Sequence, residues 1–307
     1  MKRLDPAIVA ESRRVMADHA RSFDRAARFL PARLRDPVAV LYAFCRMVDD
    51  TVDRASFPEV AHAELARIRA ELRGETAARP IIAGVRALLT EPLHLAAAEA
   101  LVAGVEGDIG PVAIADSDAL VRYAYMVAGS VGVLMCAVFD VRDPAALPFA
   151  IDLGVAMQLT NICRDVKEDA ALGRVYLPAD ALARRGVTPE MLVSDLAPRG
   201  PVAAVVLEVL ALADRYYASA ELGMRYLPDA ARPAILVASR LYQAIGTTLR
   251  RWGGDALRGR AFVSRADKAW HIVRALTAAL GHVTPRAVPA HDPGLHRGLG
   301  GCPGANV

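Results

Sequence analysis

Two pairs of aspartates with the same internal spacing lie in apolar sequence of helical periodicity. Asp49 and Asp53 close the run CRMVDDTVD, and Asp165 and Asp169 lie in NICRDVKED. Positions i and i+4 of an α-helix project from one face, so each pair can present two carboxylates to a shared point. Like charges at this spacing destabilise a helix unless a cation lies between them, and oxygen ligands beside phosphate suit Mg²⁺. The two pairs therefore predict an acidic cleft that holds magnesium and a diphosphate group.

The surroundings of each pair bear on the alternative interpretation, a solvated helix face, which is the commoner role of a single pair. Arg46 is the only charged residue before Asp49 in PVAVLYAFCRMVDDTVD, and a helix that is apolar nearly all round is buried. Gln158 and Asn161 continue the second pair backwards along its helix as one polar stripe. The alternative for this stripe is a hydrogen-bonded polar seam between helices. Since both motifs occur together, the metal-binding interpretation is favoured.

Cations lie close to both acidic motifs in the sequence. Diphosphate oxygens need such partners, and the alternative role of exposed arginines is solubility. The candidates are Arg46, Arg164, Lys167 and Arg174.

The elements that must position these side chains are predicted to be helices. Apolar residues recur every three or four positions in nearly every segment, so the fold class is all-α. The predicted helices cover about residues 7–29, 37–55, 58–73, 80–107 with a break near Pro92, 117–139, 145–171, 201–226, 231–253 and 264–280. The uncharged run 123–139 is interpreted as a buried helix, because it is short for a membrane span and contains glycines that suit close packing.

One domain is expected over residues 1–281, since no linker divides this part of the sequence. Residues 282–307 are rich in Pro and Gly, have too few apolar residues for a core, and are expected to be disordered.

Composition excludes several classes of function. The net charge is only +3 and arginines are scattered, so nucleic acid is not an expected partner. The N-terminal sequence MKRLDPAIVAESRRV lacks the apolar run of a secretion signal, so a cytoplasmic location is expected. The four cysteines and seven histidines lack zinc-ligand spacing, and neither a Walker motif nor a dinucleotide fingerprint is present. Zinc and NADPH are therefore not expected.

Three stretches carry a resemblance to a known family: HARSFDRAARFLPARLRDPVAVLYAFCRMVDDTVD, YAYMVAGSVG and QLTNICRDVKEDAALGRVYLP. Together they resemble the squalene/phytoene synthase family over most of residues 15–280, and the ending GRVYLP is most similar to the bacterial phytoene synthases within it. The resemblance implies an isoprenoid-synthase fold, a helical bundle around a central cavity. It also implies Mg²⁺, for which Mn²⁺ can substitute, and two prenyl diphosphates joined head to head.

The resemblance also implies roles for individual residues. Asp49 and Asp53 match the first metal motif, and Asn161, Asp165 and Asp169 match the second. Gln158 matches a polar position of the cavity wall, and Tyr123 an aromatic position near the reacting carbons. The positions that match substrate contacts, or lie among the cations beside the carboxylates, are Ser22, Arg46, Arg164, Tyr242 and Arg260. Around RRWGGDALRGR the family spacing is disturbed by Gly253 and Gly254, which affects the assignment of Tyr242 and Arg260.

The function implied is the condensation of two geranylgeranyl diphosphates, through a cyclopropylcarbinyl diphosphate, to phytoene in carotenoid biosynthesis. The alternative within the family uses farnesyl diphosphate and gives squalene, dehydrosqualene or hydroxysqualene. The alternative of another class is a non-catalytic member that acts as an assembly or scaffold protein. Cavity depth is expected to depend on the bulk of Ala128, Val131, Val133, Gly154 and Met157. Because the substrates and product are lipids, weak peripheral association with the inner face of the membrane is also expected.

Overall fold

The computed structural model of the protein describes residues 4–19, 21–281 and 290–305, without the side chains of residues 21–23, 280 and 281. The described residues are mainly helical, with only two short strands, as predicted for an all-α fold. The α-helices are α1 (Pro6–His19), α2 (Arg21–Ala27), α3 (Ala32–Asp53), α4 (Pro58–Arg73), α5 (Pro80–Leu88), α6 (Pro92–Glu106), α7 (Ser117–Ala124), α8 (Ser130–Val138), α9 (Leu147–Arg164), α10 (Val166–Ala171), α11 (Ala179–Ala183), α12 (Pro189–Val193), α13 (Arg199–Gly223), α14 (Arg232–Arg251) and α15 (Arg265–Gly281). Two strands, β1 (Val112–Ala113) and β2 (Arg174–Val175), pair in parallel.

Several helices begin and end at the predicted positions. Pro58, Pro80 and Pro92 each begin a helix, a position that needs no backbone N–H donor and suits the fixed φ of proline. Gly74 ends α4 with φ of 80°, a left-handed conformation that glycine adopts without strain. The predicted break near Pro92 separates α5 from α6.

Other boundaries differ from the prediction. Helix α3 begins at Ala32, five residues early, and carries Pro37 inside it. Helices α1 and α2 correspond to the predicted helix 7–29, and the predicted helix 145–171 is broken at Asp165. Between α7 and α8 the chain forms a π-helical turn over Tyr125–Gly129, a feature frequent near functional sites.

Helix α9 forms the centre of the molecule, packed against α8, α13 and α14. Its residues Ile151, Val155 and Leu159 are fully buried. Helix α9 crosses α8 and the π-helical turn before it very closely, since a Cβ added at Gly154 would lie 2.2 Å from the carbonyl oxygen of Ala128 in that turn. A Cβ at Gly132 would similarly lie 2.2 Å from the oxygen of Ala150. These contacts confirm that glycines in this region serve close helix packing.

Two segments, Ser117–Val138 and Pro144–Arg164, are long and apolar enough to cross a membrane by composition. In the fold, 50% and 67% of their apolar windows are buried. Other residues of both segments, such as Val131, Met135 and Leu153, line an apolar cavity. Their hydrophobicity is therefore used inside the protein, as expected for the run 123–139.

The C-terminal segment, defined as residues 290–305, differs from the expected disorder. It contains a 3₁₀ helix at Pro293–Leu299, and Leu295, Leu299 and Cys302 are buried. The segment is ordered although it has few apolar residues, because side chains of the helical body hydrogen-bond to its backbone carbonyls. Tyr125 Oη, for example, donates to the carbonyl of Pro303 at 2.6 Å. The rest of the predicted tail, residues 282–289, 306 and 307, lies outside the described residues.

Candidate active site

Two adjoining cavities lie at the centre of the helical body. One is apolar, with a volume of ≈ 330 Å³, and the other is lined mainly by charged and polar groups, with a volume of ≈ 300 Å³. We call them the apolar cavity and the polar cavity. Four residues line both of them: Asp49, Val127, Gln158 and Asn161.

The first acidic pair lies at the C-terminal end of α3 and lines the polar cavity. Burial, together with the charges of Asp53 and Asp108, raises the pKa of Asp49 to about 7, although Arg46 acts in the opposite direction. Asp53 is more exposed and accepts a hydrogen bond of 3.1 Å from Arg174. The carboxylate of Asp49 thus lacks sufficient positive charge around it.

The second acidic pair faces the same cavity from the junction of α9 and α10. Asp165 and Asp169 keep their helical i, i+4 relation across the break at Asp165, because the backbone N–H of Asp169 donates to the carbonyl of Asp165 at 2.8 Å. Asp165 accepts two hydrogen bonds from Arg164, one of them 2.8 Å long, and lies 3.2 Å from Nε of Arg260. Burial and the charge of Asp165 raise the pKa of Asp169 to about 7.

The polar stripe on α9 faces the cavities. Asn161 Nδ2 donates to Gln158 Oε1 at 3.3 Å, while Asn161 Oδ1 is buried and accepts no hydrogen bond from the part of the chain that is described. Tyr242 lines the apolar cavity beside this stripe and is hydrogen-bonded with Asn161. A polar seam between helices would satisfy these groups, so the open acceptor favours a ligand-binding role.

Tyr123 belongs to a cluster that the sequence did not predict. Its hydroxyl donates to Asp108 Oδ2 at 2.9 Å, and the hydroxyl of Tyr176 donates to Asp108 Oδ1 at 2.7 Å. The two rings stack with centroids 4.7 Å apart. Burial raises the pKa of Asp108 despite these hydrogen bonds. Tyr176 lies in the GRVYLP motif and could have been found there, whereas Asp108 has no carboxylate partner at helical spacing.

The pairing of β1 with β2 completes the polar cavity. Val112 pairs with Arg174 and Ala113 pairs with Val175, which ties the loop after α6 to the segment after α10. This contact joins the part of the chain that carries Asp108 to the part that carries Arg174 and Tyr176.

The remaining predicted residues are placed as follows. Arg46 lines the polar cavity, forms an ion pair with Asp50, and has an Nε atom with no hydrogen-bond partner within the described chain. Arg260 contacts Asp165 although glycines disturb the family spacing before it. Ser22 lies in α2, but its side chain is outside the described residues.

The polar cavity fits a divalent cation. Asp49, Asp53, Asn161, Asp165 and Asp169 supply only oxygen atoms, the ligands that Mg²⁺ prefers. A cation would stabilise the charged form of the two carboxyls whose pKa values are raised, and it would give the open acceptor on Asn161 a partner. A separate group of potential ligands, Asp152, His291 and His296, has atoms within 4.8 Å of one another behind the apolar cavity.

The apolar cavity is lined by side chains from α3, α8, α9, α13 and α14. Of the positions expected to set its depth, Ala128, Val131, Gly154 and Met157 line it. Val133 does not line it; its side chain is fully buried and lies 3.3 Å from where a Cβ at Gly304 of the C-terminal segment would be.

Comparison with known proteins agrees with this arrangement. The family model described as squalene/phytoene synthase matches residues 16–267. The phytoene synthase of Rhodobacter capsulatus is 35% identical, with 91% of this chain and 87% of that protein covered. The 15-cis-phytoene synthase of a Paracoccus species is 35% identical, with 89% and 95% covered.

Solved structures are similar as well. The crystal structure of a dehydrosqualene synthase with bound ligand has a TM-score of 0.78 and 26% identity, covering 90% of this chain and 97% of that one. A squalene synthase of Alicyclobacillus acidocaldarius, with a TM-score of 0.69 and 23% identity over 80% of this chain and 94% of its own, shares the fold. The chain belongs to the squalene/phytoene synthase family.

Proposed function

We propose that the protein condenses two geranylgeranyl diphosphates head to head to phytoene, as a step of carotenoid biosynthesis. The observation that carries this proposal is the meeting of the two cavities at Asp49, Gln158 and Asn161. A substrate with an apolar tail and a charged diphosphate head fits this division, with the head in the polar cavity. The sequence relatives named phytoene synthases support geranylgeranyl diphosphate as the substrate.

The chain's own residues have distinct roles in this reaction. Asp49, Asp53, Asn161, Asp165 and Asp169 would hold Mg²⁺, which when bound neutralises diphosphate charge and stabilises its departure. Arg46, Arg164, Arg174 and Arg260 line or border the polar cavity and can contact diphosphate oxygens.

The carbon chemistry takes place where water is excluded. Cleavage of the first C–O bond releases diphosphate and leaves an allylic cation, which the double bond of the second substrate attacks with loss of one proton. The product is a cyclopropylcarbinyl diphosphate. Its ionisation releases the second diphosphate, and rearrangement with loss of another proton gives phytoene; released diphosphate is a reasonable proton acceptor. The apolar walls exclude water, and the stacked rings of Tyr123 and Tyr176 can stabilise positive charge near the polar cavity.

Product analysis tests this proposal. Purified protein is incubated with Mg²⁺ and either geranylgeranyl or farnesyl diphosphate, each with and without NADPH. We expect a forty-carbon phytoene without NADPH. A thirty-carbon product alone would support the farnesyl-using alternative instead. The similarity to the structure of a dehydrosqualene synthase is the observation that favours this alternative. Absence of diphosphate release from both substrates would favour a non-catalytic scaffold.

Peripheral membrane association belongs to the same proposal, since substrates and product are lipids. An exposed apolar strip at and before α15 supports it: Phe262, Trp270 and Val273 are 75%, 61% and 54% exposed. Arg265 and Arg274 are exposed on the same helix and could contact anionic headgroups. Flotation with anionic vesicles at low salt tests this idea. We expect Trp270→Ala to reduce co-flotation and Phe57→Ala, an exposed aromatic elsewhere, to leave it unchanged; no co-flotation of the unaltered protein would refute the association.

A further inference from the structure

A buried cluster ties the C-terminal segment to the central helix. Asp152 of α9 is fully buried, and both of its carboxylate oxygens contact histidines of the segment. His291 Nε2 lies 2.8 Å from Oδ2 and His296 Nε2 lies 2.8 Å from Oδ1. Ser219 of α13 donates a third hydrogen bond, 2.5 Å long, to Oδ2. We call these four residues the Asp152 clamp.

The contacts of His296 define its protonation. Nδ1 lies 2.9 Å from the carbonyl oxygen of Ala305, which can only accept a hydrogen bond. Nε2 faces a carboxylate oxygen, which also accepts. With Asp152 ionised, both ring nitrogens donate, which makes His296 an imidazolium ion paired with the Asp152 carboxylate. A buried ion pair whose hydrogen bonds are satisfied is strongly destabilised when one partner is removed. The direct distances of 2.8 Å are those of hydrogen bonds.

Other side chains of the helical body hold the same segment. Tyr216 Oη donates to the carbonyl of Leu295 at 2.5 Å, and Arg122 donates to the carbonyls of Gly298 and Gly300 at 3.3 and 3.1 Å. Tyr125, in the π-helical turn, donates to Pro303. The segment is thus fastened to the elements that build the cavity walls.

The clamp lies directly behind the wall of the apolar cavity. The ring of His291 meets the ring of Phe149 edge-on, with centroids 5.3 Å apart, and Phe149 stacks on Tyr226 at 5.9 Å. Both Phe149 and Tyr226 line the apolar cavity. Phe149 also packs tightly against α13, because a Cβ added at Gly223 would lie 2.2 Å from the Cβ of Phe149.

We propose that the C-terminal segment is a brace for the apolar cavity, in which His291 and His296 are positioning residues that hold Phe149 and Tyr226 through the direct ion pair with Asp152. The brace thereby limits the length of prenyl chain that the cavity accepts. This inference rests on the proposed function only in that the ligand is a prenyl diphosphate.

Binding of unreactive prenyl thiolodiphosphates tests the brace without requiring turnover. Calorimetry gives the affinity ratio between the twenty-carbon analogue and one that is one isoprene unit longer. Hydrogen exchange of residues 290–305 reports whether the segment is released, and circular dichroism reports the helical body. The variants are His291→Ala and His296→Ala. The control is Arg297→Ala, an exposed residue of the same segment, and Phe149→Leu alters the wall itself.

We expect both histidine variants to lose exchange protection over the segment. The affinity ratio should shift toward the longer chain by about tenfold, the discrimination that small differences in apolar bulk provide. Phe149→Leu should shift it in the same direction, and Arg297→Ala should not. If the segment is released while the ratio is unchanged and Phe149→Leu still alters it, the brace is refuted.

Two further outcomes would also overturn the proposal. Retained protection in His296→Ala would show that the ion pair does not hold the segment. Stoichiometric Zn²⁺ uptake by the unaltered protein, lost in His291→Ala, would replace the direct ion pair by a metal. These outcomes can be distinguished from a failure of the proposed function. In that case the unaltered protein would form no product although the analogues still bind.

Discussion

At the scale of single residues, the polar cavity combines carboxylates that burial makes hard to ionise with arginines that are already paired. Asp49 and Asp169 have pKa values raised to about 7, whereas Asp165 is engaged by Arg164 and Arg260. The carboxylates are therefore not equivalent. Asp49 and Asp169 are the two whose ionisation most needs an added cation.

Neutralising one carboxylate tests the metal assignment. Asp49→Asn or Asp165→Asn should reduce kcat by at least about a hundredfold, because each removes charge from the proposed metal site, which would stabilise the departing diphosphate. Circular dichroism should show unchanged helicity. Glu168→Gln is the matched control, since it removes an exposed carboxylate beside Asp169. Unfolding of both active-site variants would instead indicate that the aspartates are structural.

The free energy of unfolding should depend on pH, both in the absence and in the presence of Mg²⁺. Asp49 and Asp169 bind protons more tightly in the folded state than at their unfolded pKa of about 3.9, so stability without metal should fall as pH rises from 4 toward 7. Mg²⁺ needs the ionised carboxylates, so its stabilising effect should be small at pH 6 and larger at pH 8. Differential scanning fluorimetry with and without Mg²⁺ measures this effect. An equal rise in Tm at both pH values would contradict the assignment.

At the scale of elements, the crossing of α8 and α9 determines the positions of the two cavity walls that these helices form. The crossing is close because Gly132 and Gly154 have no Cβ, and both residues also line the apolar cavity. A short interhelical distance at this point brings the polar stripe of α9 to the meeting point of the two cavities.

Filling one of these contacts should separate the helices. In Gly154→Ala the new Cβ would meet the backbone oxygen of Ala128, which cannot move independently of the π-helical turn that leads into α8. We expect a loss of about 1–3 kcal/mol of unfolding free energy, the usual cost of overpacking, and reduced activity. Gly200→Ala is the control, because Gly200 lies in α13 and, apart from its chain neighbours and its own helix backbone, no atom of the described residues lies within 4 Å of the added Cβ. Urea denaturation measures both, and equal stability of the two variants would contradict the close crossing.

At the scale of the whole molecule, the last described residues of the chain pack against the central helix α9. The Asp152 clamp joins α9, α13 and the C-terminal segment, which are distant in sequence. Burial lowers the pKa of His296, but hydrogen bonds with Asp152 and Ala305 outweigh this effect and raise it. Burial likewise raises the pKa of Asp152, and hydrogen bonds from His291, His296 and Ser219 bring it below its usual value.

The attachment of the segment should weaken in alkaline solution. His296 stabilises the fold fully below its unfolded pKa of about 6.5, and this contribution is lost as pH rises through the raised pKa of the folded state. Among the described residues, the titratable groups shown in contact with His296 are Asp152 and His291. Tyr216 donates to the carbonyl of the neighbouring Leu295 and stays neutral because burial raises its pKa. Hydrogen exchange of residues 290–305, corrected for intrinsic rates, should show less protection at pH 9 than at pH 6. Protection that does not change with pH would contradict an imidazolium at His296.

The sequence by itself determined the fold class, the family and the two acidic pairs. These features are local: the i, i+4 spacing of Asp49 with Asp53 and of Asp165 with Asp169 follows from helical geometry alone. The same regularity predicted the polar stripe through Gln158 and Asn161, and the order of motifs identified the family. The roles of these residues as metal ligands remain predictions.

Only the tertiary structure decided which distant groups join the site. Asp108 has no helical partner, and it meets Tyr123 and Tyr176 across chain separations that no periodicity encodes. The C-terminal segment has the composition of a disordered tail, yet it is ordered because donors of the helical body and the Asp152 carboxylate satisfy its polar groups. Long-range hydrogen bonds depend on the positions of both partners in space, and composition describes only one of them at a time.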